Sequence, residues 1–216
     1  MIPLRDETRR PASFPWMTAV IIALNGIGFV FELIGGDSFV AAWAATPADI
    51  SRGHDLATLL SSMFMHASWS HIIGNMIFLW AFGPQVEEAM GRGRYALFYL
   101  AGGICASIAE IASDPTSTIP SLGASGAIAA VMGAFLVTYP RDRIRTILVL
   151  GWFARVTFIP AVLLIGFWFA TQLVSLGTVT DVESGGVAYM AHVGGGLFGA
   201  VFARLFEPRR SDGPYA

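Results

Sequence analysis

The sequence predicts an all-α membrane protein with six transmembrane helices and with both termini on the cytoplasmic side. Three observations support this fold class. Hydrophobic residues make up 55% of the 216 residues and charged residues only 13%, against about 25% charged residues in an ordinary soluble domain. Several apolar runs have roughly the 17 to 20 residues that a helix needs to cross a bilayer core. The arginines, finally, lie almost entirely on one side of these runs.

The apolar runs predict one membrane domain over residues 16–206, between an N-terminal tail (1–15) and a C-terminal tail (207–216). The six predicted spans cover about residues 16–34, 69–86, 95–112, 122–139, 160–176 and 187–206. The first is too long for the apolar core of a signal peptide, so we expect it to be retained. Pro160 stands at the start of the fifth span, where proline favours helix initiation. Residues 144–158 mix arginines with apolar residues, which indicates a segment on the membrane interface.

The arginine distribution predicts the orientation of the spans. All thirteen Lys and Arg residues are arginines, and twelve of them fall in the two tails, the loop 87–94, the segment 139–159 and the end of the last span. Only Arg52 falls in the loops on the opposite side. This asymmetry is the positive-inside pattern, which places both termini in the cytoplasm. The net charge of -2 without a basic patch gives no indication of a nucleic-acid partner.

Four polar side chains are predicted at one depth, within about the outer third of the bilayer. Ser125 lies about one turn into the fourth span and His192 about one and a half turns into the sixth, at a rise of ~1.5 Å per residue. His71 and Asn75 lie four residues apart in the second span and therefore share one helical face. The three spans enter the membrane from the same side. Polar groups at this depth are costly, so each is a candidate functional residue.

Small residues suggest how Ser125 and His192 could meet. They are Gly126, Ala129, Ala130 and Gly133 in the fourth span and Gly195 and Gly199 in the sixth. Small residues at this spacing let membrane helices approach closely. A serine beside a neutral histidine is the simplest activated nucleophile, because the imidazole can take the hydroxyl proton and return it to the leaving amine. The sixth span contains no acidic residue that could orient His192, so the pattern predicts a dyad instead of a triad.

The remaining polar residues suit the same chemistry but also have simpler explanations. His71 and Asn75, together with the backbone N–H of Ser125, could donate hydrogen bonds to an oxyanion. They could equally be ordinary interhelical contacts, and a serine in a membrane helix commonly bonds only to a carbonyl one turn back. His66, His71 and His192 could together bind a metal ion, although no cysteine or clear carboxylate completes the set. The coincidence of these groups at one depth favours catalysis.

At this point the motifs resemble those of the rhomboid intramembrane serine proteases. The matching stretches are Gly123-Ala124-Ser125-Gly126, Ala191-His192-Val193-Gly194-Gly195 followed by Gly199, and His66-x4-His71-x3-Asn75. Glu87-x3-Gly91-x2-Arg94, after the second span, resembles another motif of that family. The resemblance covers nearly the whole chain from about 16 to 206, in the family's order.

The resemblance implies a rhomboid-like six-helix bundle in which Ser125 is the nucleophile and His192 the general base. It also implies an oxyanion hole formed by His71, Asn75 and the Ser125 amide, with His66 and Gly123 near the site, and it implies neither a cofactor nor a metal. The implied partners are transmembrane protein substrates within the lipid bilayer, cleaved in or beside a transmembrane segment, and no nucleic acid. The compact core favours a bacterial plasma membrane.

The sequence departs from the family's pattern at two places, and two other functions stay open. Ala57 and Thr58 stand where many members carry Trp-Arg, and Ala129 stands where some members have an aromatic residue that stacks on the base. The first alternative function is a catalytically inactive relative that binds or routes client membrane proteins. The second is a transporter or channel whose histidines relay protons. That function would require acidic partners in the spans, where only Glu32 and Glu110 occur.

Overall fold

The computed structural model describes residues 1–178 and 188–208. The start of the sixth predicted span and most of the predicted C-terminal tail lie outside these residues. Eight α-helices occur in the described part. They are α1 (Trp16–Trp43), α2 (Pro47–Ser51), α3 (Thr58–Ser61), α4 (Trp69–Met90), α5 (Arg92–Ser113), α6 (Ser125–Thr138), α7 (Ala161–Thr178) and α8 (Tyr189–Phe206). A single 3-10 turn, Ser62–Phe64, follows α3.

Helix α1 and helices α4 to α8 correspond in order to the six predicted spans. Helix α1 continues to Trp43 instead of ending at 34, and its backbone leaves helical geometry at Gly36, where φ is 56°. Helix α4 continues through Pro84 to Met90. Within the described residues, α1 and α5 are long and apolar enough to cross a membrane, and α6 and the Ala161–Val174 part of α7 are apolar but shorter.

The fold differs from the purely helical prediction in one region, a three-stranded antiparallel sheet. Its strands are β1 (Ile2–Asp6), β2 (Arg143–Leu150) and β3 (Phe153–Pro160), in the order β1-β2-β3. Residues 2–6 were predicted as part of a tail and residues 144–158 as an interfacial segment. The hairpin is rich in Ile, Val and Thr, which favour a pleated strand, and Gly151 supplies its turn with a φ of 57°. Pairing of β1 with β2 joins distant segments, so local patterns do not reveal it.

Helix α6 lies at the centre of the bundle, packed against α4, α5 and α8. All its residues from Gly126 to Phe135 are buried. The contact with α8 is backbone to backbone, since a Cβ at Gly195 would overlap the carbonyl oxygen of Gly126 and a Cβ at Gly199 that of Ala130. The predicted close approach of the fourth and sixth spans is therefore confirmed.

Two carboxylates, buried Glu87 and partly buried Glu110, accept hydrogen bonds from the first turns of other helices. Glu87 of α4 accepts hydrogen bonds from the backbone N–H and the hydroxyl of Thr18, both at 2.8 Å, at the start of α1. Glu110 of α5 accepts the backbone N–H of Ala191, at 2.9 Å, at the start of α8. Helix N-termini leave amides without intrahelical partners, which is costly where water is excluded. These contacts fix the ends of α1 and α8, and Gly91, with a φ of 78°, makes the turn from α4 to α5.

Candidate active site

The centre of the site is a contact between Ser125 and His192. Ser125 is the first residue of α6, and His192 lies in the first turn of α8. The Ser125 Oγ and the His192 Nε2 are 2.8 Å apart, and His192 is only 4% exposed. The glycine contacts between α6 and α8 bring the two side chains together, as the small-residue pattern predicted.

The backbone before α6 turns at Gly123 so that Ser125 can begin the helix. Gly123 has a φ of +136°, a region that glycine adopts far more readily than residues with a side chain. Its N–H donates to the carbonyl oxygen of Ser62 at 2.9 Å. A Cβ at this position would lie 3.0 Å from the His71 Nε2 and 3.7 Å from the Ser125 Oγ. The glycine therefore keeps open a space that borders both side chains.

His71 and Asn75 lie in the first two turns of α4, on the face that the sequence predicted. The helix begins at the cap residue Ser68, whose Oγ accepts the backbone N–H of His71 at 3.1 Å. Asn75 is buried, and its Nδ2 has no hydrogen-bond partner among the described residues. An unpaired buried amide donor is costly, and it is available to a ligand.

His66 packs against His71, with their ring centroids 5.1 Å apart and their planes at 70°. Its backbone N–H donates to the Glu32 Oε2 at 2.7 Å, so a carboxylate of α1 holds the segment that leads into α4. Among the residues that the structure describes, no three His, Cys, Asp or Glu side chains are arranged to hold a metal ion. The structure thus places His66 as a neighbour that supports the His71 ring.

Two residues of α7 that the sequence analysis did not connect with His192 contact its imidazole. The Nδ1 of His192 lies 2.7 Å from the Oε1 of Gln172. The Trp168 ring lies on another side, with a centroid distance of 5.1 Å and an interplanar angle of 47°. The aromatic neighbour of His192 thus comes from α7 and lies at a tilt, while Ala129 of α6 is fully buried. The sequence did contain an indication of this contact. A glutamine four residues after a tryptophan lies on the same helical face, and here it is a polar residue in an otherwise apolar span.

The loop positions that depart from the family's pattern are fixed by other contacts. The hydroxyl of Thr58, next to Ala57, donates to the carbonyl oxygen of Asp55 at 2.6 Å. Before these positions, Ala45 exchanges backbone hydrogen bonds of 3.0 and 2.8 Å with Ser121. That exchange ties the segment after α1 to the segment that leads into Gly123.

A small cavity of about 20 Å³ lies directly beside Ser125. Its lining combines small apolar residues with four serines, Ser62, Ser107, Ser121 and Ser125. A volume of this size holds about one water molecule where polar partners are available. The site therefore combines a hydroxyl paired with an imidazole, free amide donors and a polar space beside the hydroxyl.

Comparisons with known proteins relate the chain to one family. The Rhomboid domain family model matches residues 53–209. The rhomboid protease GluP of Bacillus subtilis is 34% identical over 196 residues, which cover 88% of this chain and 34% of that protein. The putative rhomboid protease YdcA of the same organism is 28% identical over 54% of this chain and 59% of its own length. Presenilin-associated rhomboid-like protein A, mitochondrial, of Danio rerio is 32% identical over 50% of this chain and 28% of its own length. The chain thus spans only about a third of GluP.

Proposed function

We propose, from the premise that the chain belongs to the rhomboid family of membrane proteins, that it is an intramembrane serine endopeptidase. Its reaction is the hydrolysis of a peptide bond in or beside a transmembrane segment of another membrane protein. The observation that carries the proposal is the 2.8 Å separation of the Ser125 Oγ and the His192 Nε2 at the start of a buried helix. A serine held against a buried imidazole is the arrangement that nucleophilic acyl transfer requires.

In the first half of the proposed reaction, the Ser125 Oγ attacks the scissile carbonyl carbon while the His192 Nε2 takes the hydroxyl proton. The negative charge on the carbonyl oxygen is stabilised by the Ser125 backbone N–H, the His71 ring and the Asn75 Nδ2. The protonated imidazole then gives its proton to the leaving amine as the C–N bond breaks. This step leaves an ester between Ser125 and the new C-terminus.

In the second half, a water molecule attacks the ester carbonyl carbon while His192 accepts its proton. The bond between that carbon and the Ser125 Oγ then breaks, the new C-terminus leaves as a carboxylic acid, and His192 returns the proton to the Oγ. The cavity beside Ser125 supports this step, because its serine hydroxyls offer hydrogen bonds to a water molecule. A helical substrate has its backbone amides already bonded within the helix, so the scissile region must unwind first. Substrates with glycine or other helix-weak residues near the outer membrane edge are therefore favoured.

The proposed topology has six spans, α1 and α4 to α8, in a membrane domain over residues 16–206, with the two short tails and both termini in the cytoplasm. The arginines of the sheet, Arg143, Arg145 and Arg155, lie on the same side as the N-terminal arginines and support this orientation. The site then opens toward the non-cytoplasmic side. The similarity to two Bacillus subtilis proteins supports a bacterial plasma membrane as the location.

The acidic side chains of the spans argue against proton transport. Glu32 accepts the backbone N–H of His66 at 2.7 Å, and Glu110 accepts that of Ala191 at 2.9 Å. Each carboxylate thus holds a backbone segment in place. We therefore favour hydrolysis over a proton relay between histidines.

The experiment is labelling with a serine-directed fluorophosphonate and cleavage of a panel of single-span proteins by detergent-solubilised protein. Wild type should label and cleave, and Ser125→Ala should do neither. His192→Ala should fold but lose cleavage by about 10³-fold or more. The matched controls are Ser51→Ala and His54→Ala, which change exposed residues and should leave both readouts unchanged.

Equal labelling of wild type and Ser125→Ala would contradict the proposal and favour the inactive relative that binds client membrane proteins. Retained turnover in His192→Ala would contradict the assignment of the base.

A further inference from the structure

We infer that Gln172 is a positioning residue that holds His192 in its reactive tautomer. Its side-chain oxygen lies 2.7 Å from the His192 Nδ1, on the opposite side of the ring from Ser125. This inference rests on the proposed function, because it assigns a role to a residue that acts through the base. It extends the pair of Ser125 and His192 to a third residue, supplied by α7.

The orientation of the Gln172 amide is determined by its own helix. Its Nε2 donates to the carbonyl oxygen of Trp168 at 3.3 Å and to the Thr171 Oγ1 at 3.1 Å. The Thr171 hydroxyl itself donates to the Trp168 carbonyl at 2.6 Å, so its lone pairs remain to accept from the amide. A reversed amide would place Oε1 against a carbonyl oxygen, which can only accept hydrogen bonds. The Gln172 Oε1 must therefore face His192.

This orientation determines which imidazole nitrogen carries the proton. An amide oxygen only accepts, so a hydrogen bond of 2.7 Å requires a proton on the His192 Nδ1. A neutral imidazole has one N–H, so its Nε2 carries the lone pair. That lone pair lies 2.8 Å from the Ser125 Oγ, where it can accept the hydroxyl proton. The opposite tautomer would present an N–H to the nucleophile and could not act as a base.

A neutral amide suits this location better than the carboxylate that orients the histidine in soluble Ser-His-Asp triads. An ionised side chain at membrane depth carries a large desolvation cost. The amide oxygen gives the same acceptor geometry without a net charge, and its dipole stabilises the imidazolium that forms during the reaction. The missing acidic partner of His192 is thus replaced by a glutamine.

The test compares Gln172→Met, which keeps the length of the side chain but removes the acceptor, with Gln172→Glu, which keeps an acceptor oxygen. The matched control is Gln85→Met at the other glutamine, which is buried in α4 and donates to the Arg9 carbonyl. We expect Gln172→Met to lower kcat by about 10- to 100-fold with KM within about threefold, because the histidine loses its orientation but substrate contacts remain. Gln172→Glu should recover part of kcat, because it keeps an acceptor for the His192 Nδ1 but loses the Nε2 donor to the Trp168 carbonyl oxygen. Gln85→Met should leave kcat unchanged.

A second readout is the ring ¹⁵N NMR spectrum of histidine-labelled protein, with His192 assigned by comparison with His192→Ala. Wild type should show His192 with the proton on Nδ1, and Gln172→Met should show a mixture of tautomers. A purely structural role would lower thermal stability without changing the tautomer. Folded Gln172→Met with an unchanged kcat or tautomer would overturn the inference.

Gln172→Glu tests the inference independently if Gln172→Met does not fold. A folded Gln172→Glu that lost kcat as completely as His192→Ala would also overturn it. Failure of the proposed function looks different, because wild type itself would then neither cleave substrate nor label at Ser125. The NMR spectrum would still report the tautomer of His192 in that case.

Discussion

Replacing Gly195 by alanine should separate α6 from α8 and break the contact between Ser125 and His192. A Cβ there would overlap the Gly126 carbonyl oxygen and lie 3.1 Å from the carbonyl carbon. Carbon atoms in ordinary contact are about 3.5–4.0 Å apart, so this contact alone requires a movement of about 0.4–0.9 Å. The closer overlap with the carbonyl oxygen brings the required separation of the helices to about 1 Å. The Oγ–Nε2 distance starts at 2.8 Å, and the same shift takes it past the ~3.2 Å limit of a good hydrogen bond.

The expected cost has a stability part and a rate part. Overpacking of this kind destabilises a fold by about 1–3 kcal/mol, and a misplacement of about 1 Å at a reacting pair can lower the rate by about 10²-fold. Thermal unfolding in detergent measures the first, and the rate of fluorophosphonate labelling at Ser125 measures the second. Both should fall in Gly195→Ala.

The matched control is Gly26→Ala in α1, where a Cβ would have no atom within 4 Å. Alanine favours a helix more than glycine does, so this variant should be neutral or slightly stabilising. If Gly195→Ala had the same thermal midpoint and the same labelling rate as wild type, the reasoning that glycine contacts hold Ser125 and His192 together would be refuted.

Two further predictions follow from the described side chains. Asn75→Ala should lower kcat by at most about 10²-fold, because oxyanion donors are partly redundant. Cleavage kinetics measure this loss. A total loss of cleavage would mean that Asn75 has another role. Burial, together with the neighbouring Asp142, raises the pKa of Asp6 to about 6. The folded protein therefore binds a proton at Asp6 more tightly than the unfolded chain does. As a result, the free energy of unfolding falls as the pH rises from about 4 to about 6. Asp6→Asn keeps the Oδ1 acceptor for the backbone N–H groups of Thr8 and Arg9. This variant should raise the thermal midpoint near neutral pH. If the wild-type midpoint did not change between about pH 4 and pH 6, the pKa argument would be contradicted.

The sequence alone predicted the helical membrane fold and the polar residues of the site. Apolar runs of spanning length and small residues at helical spacing are local patterns, so they identify the helices and the face on which α6 and α8 meet. Ser125, His71 and Asn75 stand out because each is a polar group in an apolar run. The family's motifs then related them to one site.

The tertiary structure decided what holds that site in place. Gln172 and Trp168 belong to α7, and only the packing of that helix shows that they contact His192. Glu110 caps α8 from α5 in the same way. The sheet likewise depends on β1 pairing with a strand more than a hundred residues later. Such contacts join segments that are distant in the chain, so no local pattern encodes them, whereas hydrophobicity and periodicity act within a single helix.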